Sequence, residues 1–132
     1  MNHRSLLALA IQMAILAPSF AQQNPSCDGT WMYSHLDKAR GWPADVEVTV
    51  AGAKGTYVAH LGKHKAKNSP CRDHPLPIVV ERCTADELVF KVHGEEVAQG
   101  CPTFTAHFRL DGPDSAEASI GHGQVVRAHR EH

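Results

Sequence analysis

The chain lacks almost every motif that announces an activity. Its 132 residues contain no Gly-x-Ser-x-Gly elbow, no His-Glu-x-x-His pair, no glycine-rich phosphate loop and no Cys-x-x-Cys, so the usual signatures of serine hydrolases, zinc peptidases, nucleotide enzymes and thioredoxin-type oxidoreductases are missing. Glu95 and Glu96 are adjacent and alternate faces in an extended chain, so they make no carboxylate dyad. The expectation is a protein that is not an enzyme and carries no cofactor. Aromatic residues are only 6% of the chain, and the formal charge is −1. The basic face that nucleic acid requires is therefore absent. Beyond residue 21 no stretch sustains apolar residues at helical spacing over three turns, which argues against a helical domain.

What is present begins with an address. His3 and Arg4 give a short basic start, residues 6–17 a largely apolar stretch of 12, and Ser19-Phe20-Ala21 the small residues that a signal peptidase accepts. A bilayer-spanning helix needs about 20 apolar residues, and Pro18 follows directly. The stretch reads as a signal peptide over residues 1–21, cleaved after Ala21, ahead of a single domain over 22–132. No Asn-x-Ser/Thr glycan acceptor occurs, since Asn24-Pro25-Ser26 and Asn68-Ser69-Pro70 both fail. The expectation is a secreted or periplasmic monomer, leaning to the periplasm, and not an integral membrane protein.

In that compartment the four cysteines Cys27, Cys71, Cys83 and Cys101 read as two disulfides. Period-two alternation runs from end to end, with about eight strands at 27–34, 45–51, 55–61, 76–83, 87–93, 103–110, 115–120 and 124–130. The fold class is all-β, an antiparallel barrel or barrel-like sandwich. Val46, Val48 and Val50 would face inward, and Leu88, Phe90 and Val92 would meet Phe104, Phe108 and Leu110. Residues 36–42 suit a short helix that Gly41-Trp42-Pro43 would end. A hairpin tip at His93-Gly94 would carry 95–100 back along 87–92 and bring Cys101 to Cys83, leaving Cys27 for Cys71. The rival pairing, Cys71 with Cys83 and Cys27 with Cys101, fits the spacing nearly as well.

Two resemblances bear on the fold. Gly29-Thr30-Trp31 resembles the Gly-x-Trp start of calycin-type barrels, the lipocalins and avidins, and Gly55-Thr56-Tyr57 resembles the avidin strand whose tyrosine faces the ligand. The likeness implies an eight-stranded up-and-down barrel, with Trp31 plugging the closed end and a small apolar ligand at the open end. Trp31 and Trp42 are the only tryptophans, so the later aromatic wall of a biotin site is missing. The layout Cys27-Asp28-Gly29-Thr30-Trp31, Pro70-Cys71 and Gly100-Cys101 is similar to a loosely defined set of small exported bacterial proteins that share no known function.

Three constellations could bind something. Lys63, Lys65, Lys67 and Arg72 crowd residues 60–74, where Asp73 is the one acid, and Arg40 and Trp42 lie between strands. Such a surface suits an acidic protein partner, in the manner of an inhibitor or immunity protein. The alternative is a barrel interior that carries a small apolar ligand, but large inward residues favour a filled one. A second alternative is metal, because ten histidines are far above the usual share and His60, His64 and His74 flank the same basic run. The lysines between them would repel a cation.

Nine histidines follow Ala21, and they charge together as pH falls through about 6.5, carrying the formal charge of residues 22–132 from −2 towards +7. Electrophoretic mobility of the processed protein should reverse sign between about pH 7 and pH 5. An unchanged sign across that window would contradict this reading.

Overall fold

A computed structural model describes residues 26–37, 42–60, 70–120 and 123–132. Eight antiparallel strands close into a barrel in simple chain order: β1 (Gly29–Asp37), β2 (Trp42–Ala51), β3 (Lys54–His60), β4 (Leu76–Cys83), β5 (Glu87–His93), β6 (Thr103–Gly112), β7 (Ser115–Ser119) and β8 (Val125–Glu131). This up-and-down order is the architecture that the Gly-x-Trp resemblance implies. Alternation drives it: in β2, Val46, Val48 and Val50 are buried while Asp45 and Thr49 face solvent, as half-buried strands require.

The interior is filled by unequal walls. Ala106, Ala116, Ala118 and Ala128 line the side built by β6, β7 and β8, and all are fully buried. They leave room for large rings from the other strands. Phe108 makes edge-to-face contacts with Trp31, Tyr33 and Phe90 at centroid distances of 5.8, 5.9 and 5.3 Å, each adding about 0.5–1.5 kcal/mol beyond area burial. The expected facing pairs are in register, with Leu88 opposite Phe108 and Val92 opposite Phe104.

One end is closed. Trp31 is fully buried and donates its indole Nε1–H to the Cys27 carbonyl at 3.0 Å, while the Arg130 guanidinium lies 4.9 Å from the centre of its rings. Arg130 also donates to the carbonyls of Ser26, Asp28 and Pro113. Cys27, the β4–β5 turn and the chain end all gather here.

Both expected disulfide pairings are overturned, because the bonds are Cys27–Cys83 and Cys71–Cys101. Alternating strand direction places Cys27 and Cys83 at the closed end and Cys71 and Cys101 at the other, termed the open end because it carries the longer connections. Cys83 and Cys101 are thus separated by roughly a strand length, about 20 Å, far beyond disulfide reach. The His93-Gly94 hairpin does not form either. Residues 94–96 make one 3₁₀ turn, the Gly94 N–H donates to the Pro102 carbonyl at 3.0 Å, and β5 pairs with β6 instead. Only glycine fits there, since a Cβ on Gly94 would sit 2.2 Å from the Pro102 oxygen. The short helix over 36–42 is likewise not formed at its described ends, where Leu36 and Asp37 extend β1 and Trp42 opens β2, with Asp37 opposite Trp42. Cross-strand pairing overrides local helical spacing at both positions.

Truncating Phe108 to Ala removes the ring that three others touch, and the cost should be about 3–5 kcal/mol. Urea unfolding followed by circular dichroism measures it. A loss under about 1 kcal/mol would mean the barrel is not built around this side chain.

Candidate binding surface

The connections that carry the candidate residues share the open end. β1 rises to this end and β2 descends from it, so residues 38–41 join strand ends here, as do residues 61–75 between β3 and β4. Arg40, Lys63, His64, Lys65 and Lys67 lie outside the described residues, within these two connections. Trp42 opens β2 at the rim. Arg72 is half-buried beside Cys71, and His74 is exposed. The Cys71–Cys101 bond ties the β3–β4 connection to the β5–β6 connection across this end.

His60 ends β3 within ion-pair range of two carboxylates, Glu47 on β2 at 3.5 Å and Asp73 at 3.3 Å. Asp73 takes a left-handed backbone, φ 56°, and its N–H donates to the Ala59 carbonyl at 2.9 Å, which folds the connection back onto β3. His60 is thereby a clasp between two strands and a loop. Among the described residues, no group of three or more His, Cys, Asp or Glu side chains is arranged to hold a metal ion.

Sequence reasoning missed the apolar part of the rim. Leu36, Val97 and Val125 are exposed at 50%, 43% and 53%, and all three lie at the open end. Val125 was within reach, because adjacent valines at 125 and 126 must face opposite sides of a strand. Leu36 and Val97 were hidden by the helix and hairpin expected around them.

The barrel closes between β1 and β8. β1 and β8 pair only through Thr30–Glu131, Trp31–Arg130 and Met32–His129, although β1 runs on to Asp37 and β8 begins at Val125. A cleft of about 710 Å³ lies where β8 meets β1 and β2, bordered by Met32, Ser34, Asp45, Glu47, His60, Arg127 and His129 and touching Tyr33, Val46 and Val126. Ser34 donates its hydroxyl to Asp45 at 2.6 Å. Arg127 is paired with Asp111 and hydrogen-bonded to Ser115; the Arg127 guanidinium, then the Ser115 hydroxyl, hold the Asp111 carboxyl below its usual value.

Inside, the Tyr33 and Tyr57 phenols are both buried and close enough to influence one another, and Tyr57 packs edge-to-face on Phe104 at 5.4 Å. Burial raises both phenols above their ordinary value of 10.0, and for Tyr33 the neighbouring Tyr57 adds to the rise. Folding therefore favours the neutral phenols. That stability is intact below pH 10 and is lost as pH climbs through the raised values.

The protein has no other tyrosines, so tyrosinate absorbance should stay flat through pH 10 and rise only at higher pH, together with loss of the fold. An absorbance step centred on pH 10 in the folded protein would contradict the buried pair.

No family model, no curated protein and no solved structure matches the chain.

Proposed function

We propose that the chain is an exported, non-enzymatic binding module that holds a protein partner at the open end of its barrel, in the manner of an inhibitor or immunity protein. The observation that carries this reading is the convergence of unlike features on one end. The connection bearing Lys63, Lys65, Lys67 and Arg72, the β2 start at Trp42 and the exposed Leu36, Val97 and Val125 all belong to it. Exposed apolar side chains, together with a connection whose sequence is rich in lysine, suit a protein interface with an acidic partner. Cys71–Cys101 fixes two of the connections to each other, which lowers the ordering cost of binding. Two disulfides fit export to an oxidising compartment, and among the described residues no helix is long and apolar enough to cross a membrane.

A filled centre favours a surface partner over an interior ligand. Phe108, Trp31, Tyr33 and Phe90 occupy the space that a carrier would leave for its cargo.

The test immobilises the processed protein and a K63A/K65A/K67A variant and exposes both to periplasmic extract. An acidic protein held by the wild type, released by salt and lost by the variant, is the expected result. Equal capture by both proteins, or a retained apolar molecule in native mass spectrometry, would overturn it.

A further inference from the structure

Arginine and lysine are used differently on the outer wall of the barrel. Arg82, Arg109, Arg127 and Arg130 each pair with a carboxylate, in turn Glu87, Glu117, Asp111 and Asp114. Among the described residues, neither Lys54 on β3 nor Lys91 on β5 comes within ion-pair range of any carboxylate. Both stand opposite one residue of β4, in the register Lys54–Val79–Lys91, and Val79 is 42% exposed. Neighbouring strands lie about 4.8 Å apart, so the two lysines leave the wall about 10 Å from one another with an apolar side chain between them.

The wall around this row leaves their charge unbalanced. β3 has no Asp or Glu, and its outward Thr56 stands opposite Pro77 of β4. Val58 stands opposite Glu47 of β2, which His60 holds. Glu87 of β5 is held by Arg82, and Glu81, at the β4 bulge, is in ion-pair range of neither lysine. On the far side of Lys91 the row continues into Thr105. The outer face of β3, β4 and β5 is therefore a positive strip on a chain whose formal charge is −1. Its upper edge meets the open end, because β3 and β4 flank the connection that carries Lys63, Lys65 and Lys67 in sequence.

Two lysines contribute about 1 kcal/mol each toward an anionic membrane surface, which is too little to hold the protein there. A body that also reaches the open-end connection, about 20 Å along the strands, gains from both sets of lysines, and a folded protein with an acidic face is such a body. We propose that the outer wall of β3, β4 and β5 is a docking surface for an acidic protein, which sets carboxylates about 10 Å apart over Lys54 and Lys91 and an apolar side chain against Val79. The proposal deepens the reading of the open end as a partner site and rests on it. It extends that site down one side of the barrel and leaves the β6–β8 side, whose arginines are already paired, to solvent.

The probe is poly-L-glutamate, titrated at low salt into the isotope-labelled processed protein and followed by residue-resolved amide shifts. The amides of Lys54, Thr56, Val79 and Lys91 should move, and they should return when salt is added. K54E/K91E should bind about tenfold more weakly and lose the wall shifts, whereas K54R/K91R keeps the charge and should keep them. Shifts confined to the rim, or wall shifts that survive in K54E/K91E, would each overturn the proposal. Equal wall shifts with phosphatidylglycerol vesicles would assign the face to a membrane and overturn it as well. The K63A/K65A/K67A variant separates the two readings. Wall shifts and extract capture both kept in that variant support the wall and remove the lysine-bearing connection, whereas capture lost in the variant with no wall shifts in the wild type removes the wall and leaves the rim.

Discussion

Closure of the barrel rests on the contact between its first and last strands. The ladder joins β1 to β8 through three residue pairs, fewer than at any other junction of the barrel. The Arg130 side chain adds to it. It stacks on Trp31 and donates to Ser26, Asp28 and Pro113, joining residues more than 100 positions apart to one guanidinium. Planar geometry and several donors in a fixed fork let arginine do this where lysine would not. Two of these bonds go to the segment before β1 and one to the β6–β7 turn, whose Asp114 carboxylate also accepts from Nε, so sealing the end and closing the sheet are one event. The contact is remote in sequence, and its loop-closure entropy must be met by the rest of the meander before it can form.

From that closure follows a division of labour between the two ends. The closed end holds Trp31, Arg130 and Cys27–Cys83, all inward or bonded to backbone. The open end holds the long connections, the exposed apolar side chains and Cys71–Cys101. One crosslink at each end is what a meander with its long loops on one side needs, because the strands between are secured by their own pairing. The plug and the long connections are thus built from different residues.

Much of this was legible in the residues, and the failures have a common cause. Alternation located all eight strands, with β4 and β5 at their true bounds, because inward and outward positions differ strongly in polarity along every strand. The disulfides were misread because a local hairpin at His93-Gly94 was preferred to the strand count. Strand parity alone places Cys27 with Cys83 and Cys71 with Cys101, since the chain reverses once at each connection. Leu36 was misassigned for a similar reason, its local spacing weighed above its pairing across to Pro43. The β1–β8 junction and the Arg130 contacts were beyond reach, because they depend on how the first strand meets the last and no local pattern encodes that. Of the candidate residues, those of the basic run were found by composition, and what the fold added was the shared end of the strands that flank their connection.

Phe108 has a meaning beyond its packing. One ring separates Trp31, Tyr33 and Phe90 at the centre of a wall otherwise made thin by alanines. A smaller residue there would leave an apolar hole with aromatic sides, and dry holes of that kind hold small apolar guests. In this scaffold the difference between a filled barrel and one with an apolar cavity at its centre is a single side chain.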